Sequence, residues 1–145
     1  MRTDAKVLLA NLAAYEERGK IQIDYPVEHS LIFYLSEKGF KFPTYNFIPT
    51  TWPDYRSGLL SRQLERDIDT LVTRGVLEMT ENPSISISDA GIKEAKPLVE
   101  ILQKEGESYE RLRNVAREAL TSESHIFLES CYMMYIRKEY SLAEK

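Results

Sequence analysis

From Ser57 to Arg74 apolar residues return every three or four places. Leu60, Leu64, Ile68, Leu71 and Val72 make one stripe, and that spacing predicts a helix over 57–74. Gly75 stands where a helix stops in the left-handed conformation. The period then drops to two in "VLEMT" and "SISIS", separated by "ENP". Ile85 and Ile87 point to one face, and Ser84, Ser86 and Ser88 to the other. This is the pattern of a short β-hairpin. Asp89 is placed to cap a following helix, with Gly91 in its first turn.

Upstream, Val7, Leu8, Leu12 and Tyr15 predict a helix over 4–18, opened near Asp4 and ended by Gly19. "KIQIDYP" reads as a short extended piece, and Pro26 suits the first turn of the next helix. That helix carries Val27, Leu31, Ile32 and Leu35 and stops at Gly39. The segment 40–56 interleaves aromatics with polar residues and holds Pro43, Pro49 and Pro53. It predicts an aromatic loop or irregular edge strand. Phe40, Phe42, Phe47 and Trp52 would cover one side of the core, the commoner use of large aromatics. The length of the segment also marks it as a candidate functional loop.

Everything after residue 92 reads as helical. Pro97 predicts a kink or a fresh helix start. Tyr109, Leu112, Val115, Ala116 and Ala119 share a face. Ser124 suits the cap of a last helix, 124–140, which is apolar nearly all round. Such a helix is expected to be buried on several sides, one of them against a second subunit.

The order predicts a mainly α fold with a small β-hairpin: a winged helix-turn-helix core over 1–91 and a C-terminal helical extension over 92–145. The extension is expected to pack on the core and, through the last helix and the Leu112 face, to pair two chains into a homodimer. In a winged helix the helix before the hairpin enters the DNA major groove. The corresponding surface here holds Arg56, Arg62, Gln63, Arg66 and Thr70. Arginine reaches guanine edges bidentately or holds phosphates. Against that reading, Glu65, Asp67 and Asp69 share the segment and fit a solvated face of mixed charge. The hairpin tip has no basic residue, and Glu78 and Glu81 flank it, so DNA contact is expected to rest on the helix.

Charge narrows the picture further. The chain of 145 residues has a formal net charge of −4. Residues 1–80 carry 10 basic and 11 acidic side chains, and residues 81–145 carry 9 and 12. No basic block advertises sequence-independent nucleic-acid binding. The single cysteine, Cys131, excludes an internal disulfide and fits a reducing, cytoplasmic setting. There is no apolar run of membrane-spanning length and no signal-peptide pattern. His29 and His125 have no partner at ligand spacing, so no metal is expected, and no cofactor fingerprint occurs. Cys131 and His125 are six apart and do not share a helix face, which speaks against a nucleophile–base pair. His29 reads as structural, and no enzyme is expected.

Between Leu31 and Gly91 the chain resembles small winged-helix proteins of prokaryotes and their mobile elements. The likeness is to the YwgA-like group and, more loosely, to the Panacea-type antitoxin domain, within an outline shared with MarR and PadR regulators. "LIFYLSEKGFKF", "YNFIP", "PDYRSGLLSRQLERDIDTLVTRGVLE" and "SISISDAG" carry it. The turn "WPDYRSG" departs from the group's pattern because no glycine precedes Pro53. The resemblance implies a winged-helix core that binds double-stranded DNA as a transcriptional regulator or neutralises a protein partner. In the second case an antitoxin or complex subunit would use the loop around Trp52 and Tyr55. No catalytic residues carry over.

Overall fold

The computed structural model describes residues 22–53, 55, 57–81 and 83–143, together with Lys6, Leu8 and Leu12. Those three N-terminal residues are helical, and Leu8 and Leu12 are buried. The rest of the helix expected over 4–18, with Val7, Tyr15 and Gly19, lies outside the described residues.

A strand of two residues, β1 (Ile23–Asp24), runs directly into helix α1 (Tyr25–Glu37), which has Pro26 in its first turn. Nearly the whole of α1 is buried, from Pro26 through Phe33 and at Leu35. It packs against β3 (Gly58–Leu60), α4 (Glu107–Thr121) and α5 (Ser124–Ala143). One apolar face was expected for this helix, yet neighbours cover it on several sides. Gly39 follows it at φ 98°, a backbone turn that glycine makes without a Cβ clash.

β2 (Ile48–Thr50) pairs antiparallel with β3, Ile48 opposite Leu60 and Thr50 opposite Gly58. This corrects the expected start of the next helix at Ser57. Residues 58–60 are strand, and Leu60 packs from there rather than from a helical stripe. Helix α2 begins only at Arg62 and runs to Thr73. The reason is local: Ser61 is extended, and its hydroxyl accepts the Leu64 amide at 3.2 Å, a side-chain N-cap. The expected core face of α2 is present, with Leu64, Ile68 and Leu71 fully buried. Gly75 ends the helix at φ 79°.

The hairpin β4 (Leu77–Met79) and β5 (Ser84–Ile87) follows, Leu77 opposite Ile87 and Met79 opposite Ile85. β5 also pairs antiparallel with β1, giving a three-stranded sheet in the order β1-β5-β4. Ile85 and Ile87 are buried, as the alternation predicts. The cap of helix α3 (Asp89–Gln103) is Ser88, not Asp89. Its hydroxyl accepts the Gly91 amide at 3.0 Å and donates to the Gly75 carbonyl at 2.6 Å. One serine thereby ties the end of α2 to the start of α3, a double role that Asp89, one position on, cannot take. Pro97 lies inside α3 without ending it.

Two expectations for the C-terminal third change. Leu112 is buried against the chain's own core, so it offers no dimer surface. Helix α5 buries Phe127, Leu128 and Cys131 on α1, but Ile126, Met133 and Tyr140 are 51%, 40% and 67% exposed. Within this chain α5 is covered on one side, not on several. Ser124 is its first residue rather than its cap, and the Glu123 carbonyl accepts the Phe127 amide at 2.9 Å. No helix among the described residues is long and apolar enough to cross a membrane.

Candidate nucleic-acid interface

The outward face of α2 is held rigidly from three directions. Below it, Leu64, Ile68 and Leu71 enter the core. At its start, the buried His29 ring accepts the Ser61 amide through Nδ1 at 3.1 Å. This bond fixes the helix entry and makes His29 structural, as its sequence context suggests. On its flank, Asp67 is buried and accepts the Tyr45 hydroxyl at 2.7 Å and the Gln63 amide at 3.1 Å. Asp67 is therefore removed from the acidic surface to which the sequence assigns it. A buried carboxylate needs such donors, since an unpaired one would be strongly destabilising.

Arg62, Arg66, Asp69, Thr70 and Thr73 remain exposed, and Gln63 is half-buried. Arg62 and Arg66 are one turn apart and share a row. Glu65 and Asp69 form the neighbouring row. Arg62 lies 3.8 Å from Glu65, a loose, exposed contact that contributes little. Arg66 forms no ion pair among the described residues. Thr70 spends its hydroxyl proton on the Arg66 carbonyl at 2.9 Å, leaving its oxygen as an acceptor. The acidic row turns toward Tyr25. Burial chiefly, and then the charges of Glu65 and Asp69, push the Tyr25 phenol well above its usual pKa.

The sequence also points to Arg56, Trp52 and Tyr55. Arg56 lies outside the described residues. Lys38 sits over the Tyr34 ring at 5.1 Å, and Lys41 lines a cleft with α5 residues. Trp52 is half-buried, and its Nε1 donates to the Leu59 carbonyl at 3.1 Å. Its ring meets Tyr25 edge-on at 5.7 Å and lies 5.5 Å from His29. A Cβ at Gly58 would come within 2.5 Å of it, so only glycine lets this indole lie on β3. The Tyr55 hydroxyl donates to Asp24 at 3.2 Å. Both aromatics brace the fold.

The reading of the sequence missed Glu28 and Ser30, which are buried beside the structural His29. Both carboxylate oxygens of Glu28, Nε2 of His29 and Oγ of Ser30 are buried with no hydrogen-bond partner among the described residues. Burial raises the Glu28 pKa to about 8 and lowers that of His29 to about 3. The signal available was the run "VEHSLIF", in which Glu28 and His29 sit between apolar neighbours with no basic residue in reach. Cys131 is buried, its thiol facing the Ser30 carbonyl at 3.6 Å. Burial pushes the thiol pKa up to about 12, which suits a packed side chain rather than a nucleophile. His125 is exposed and far from such a role. No three His, Cys, Asp or Glu side chains among the described residues are grouped to hold a metal ion. Compared with protein-family models, with curated proteins and with solved structures, the chain matches none of them.

Proposed function

We propose that this protein is a winged-helix DNA-binding protein, a transcriptional regulator that places α2 in the major groove. The chain order supports the reading: a strand, a helix, the β2–β3 pair, a second helix and a hairpin, with the first strand pairing to the hairpin's second. The observation that carries it is the exposed Arg62–Arg66 row on a helix anchored by His29, Tyr45 and its own apolar face. Gln63 and Thr70 border that row as further base contacts, Thr70 as an acceptor because its hydroxyl proton is on the Arg66 carbonyl. The tip of the β4–β5 hairpin keeps Glu78, Thr80 and Glu81 exposed, so the wing adds no attraction to phosphates.

Arg62→Ala with Arg66→Ala is expected to remove most specific duplex binding, since each bidentate base contact contributes about 1–3 kcal/mol of discrimination. The salt dependence of binding should lose about one unit of slope for each phosphate contact removed. Stability should change by no more than about 0.5 kcal/mol per site. A salt-dependent titration on random duplex and on the gene's own upstream DNA measures both. Wild-type protein that binds neither at about 50 mM salt, where electrostatic attraction is little screened, ends this reading.

The protein-partner alternative draws less support. Trp52 and Tyr55 are committed to internal hydrogen bonds. The β2 edge, which offers the exposed Ile48, carries Pro49, and proline blunts strand addition.

A two-fold dimer belongs to the proposed function. Ile126, Met133 and Tyr140 recur every seven residues along the open side of α5, the spacing of a seam against a like helix. A second copy is the occupant that a palindromic operator would require, with half-sites about 34 Å apart. Light scattering at tens of micromolar should give the mass of a dimer, and Met133→Glu that of a monomer. A monomeric wild type would rule the seam out.

A further inference from the structure

The helix α1, the aromatic segment and α5 line an open cleft of about 430 Å³, within the roughly 300–1,000 Å³ of small-molecule sites. Its walls are aromatic. Phe33 meets Phe47 edge-on at 5.5 Å and Tyr135 at 6.3 Å. Phe42 and Tyr45 stack beside them at 5.7 Å. The rim carries two bases and two acids, Lys41, Lys138, Glu37 and Glu139. Lys138 and Glu37 neutralise one another at 2.8 Å. Lys41 and Glu139 are exposed and form no ion pair among the described residues.

This arrangement selects on both shape and charge. A flat ring gains edge-to-face contacts from the walls. A ligand with a single charge meets one attractive and one repulsive group at the rim. A ligand with both charges can meet Lys41 with its anion and Glu139 with its cation. Exposed charges contribute little each, so the ring anchors the molecule and the charges orient it.

We propose that the cleft binds a small zwitterionic aromatic molecule, of the class of the free aromatic amino acids, and that Tyr45 relays its presence to α2. Tyr45 is among the cleft's lining residues, though nearly buried, and donates its hydroxyl to Asp67 at 2.7 Å. The other Asp67 oxygen accepts from Gln63 at 3.1 Å. Because the Tyr45–Asp67 bond is buried, water cannot readily replace it, and a shift of the ring moves the carboxylate. Gln63, on the proposed DNA face, feels that movement. Only the regulatory meaning of the relay rests on the DNA-binding reading; ligand binding and the Gln63 response do not.

The test is a titration of the full-length ¹⁵N-labelled chain with L-phenylalanine, followed by NMR, with duplex binding measured in parallel. Saturable shifts are expected at the amides of Phe42, 44–47, Ser36 and Tyr135, and at the Gln63 side-chain amide. Phe47→Ala should weaken binding by about tenfold. The exposed Lys41→Ala should weaken it by about threefold without affecting folding. Phenethylamine and 3-phenylpropionate, each with one charge, should bind more weakly than phenylalanine. Tyr45→Phe should keep phenylalanine binding and lose the Gln63 response. No saturable shift at Phe42 and 44–47, or equal binding by a singly charged analogue, overturns the ligand class. A Gln63 response that persists in Tyr45→Phe overturns the relay. A chain that takes phenylalanine with the relay intact yet never binds duplex supports this proposal and removes the DNA reading alone.

Discussion

Glu28→Gln is expected to stabilise the protein at pH 8 and above and to remove the fall in stability between about pH 6.5 and 8. Glu28 lies in the middle of the interior, with neither carboxylate oxygen partnered among the described residues. Burial holds its folded pKa near 8, against about 4.5 for a glutamic acid in water. Between those values the folded chain binds more protons than the unfolded one. The stability that Glu28 contributes is therefore fully present below about pH 4.5 and is lost as pH rises through about 8. The slope in that window is about 1.4 kcal/mol per pH unit. Glutamine has nearly the same shape and stays neutral, so the variant should escape this loss.

His29 acts in the opposite sense. Its Nδ1 accepts from Ser61, so the ring is neutral, and burial lowers its pKa to about 3. Here the unfolded chain binds more protons, and stability falls as pH drops from about 6.5 toward 3. Between about pH 4.5 and 6.5 the two slopes cancel, and the wild type should be most stable there. Urea midpoints of wild type and Glu28→Gln at pH 5 and pH 8.5 decide the matter. Parallel profiles would show that Glu28 is solvated or paired in solution.

Gly91→Ala is expected to cost at least about 3 kcal/mol, the upper end for forcing a methyl into a packed site. Helix propensity alone predicts the reverse, a gain of about 0.5–1 kcal/mol for replacing glycine inside a helix. Packing decides the sign. A Cβ at Gly91 would stand 2.1 Å from the Val76 carbonyl oxygen and 2.7 Å from Cγ1 of Ile87. The first neighbour is backbone at the entry to the β4–β5 hairpin and cannot swing aside. Ser88 pins the same junction through its bonds to Gly75 and Gly91. Gly75→Ala is the control: its φ is 79°, but no atom lies within 4 Å of the added carbon. That change should cost only the left-handed penalty of about 1–2 kcal/mol. Denaturant unfolding of the two variants measures the difference. Equal losses at the two positions would mean that α3 sits farther from β4 than described.

Much of the scaffold was legible in the chain because its signals are local or periodic. Pro26 at a helix start, Gly75 at a helix end, the Leu64–Ile68–Leu71 stripe and the Ile85–Ile87 alternation each depend on neighbours a few residues away. The exposure of Arg62 and Arg66 followed from the same periodicity. Other features required partners that only the folded chain brings close. Residues 58–60 are strand because 48–50 lies beside them, although leucine spacing alone continues the helix back to Ser57. Asp67 is buried because Tyr45, 22 positions earlier, offers a hydroxyl; on an isolated helix it belongs to the acidic surface. Glu28 and His29 are interior because β3, α4 and α5 surround α1, whereas the chain alone suggested one apolar face. Leu112 turned inward and Met133 outward, though both read as apolar positions on helices with a face to bury. Hydrophobic periodicity records which side of an element avoids water. What covers that side, whether another element, a ligand or a second copy, is set by contacts between residues far apart in the chain.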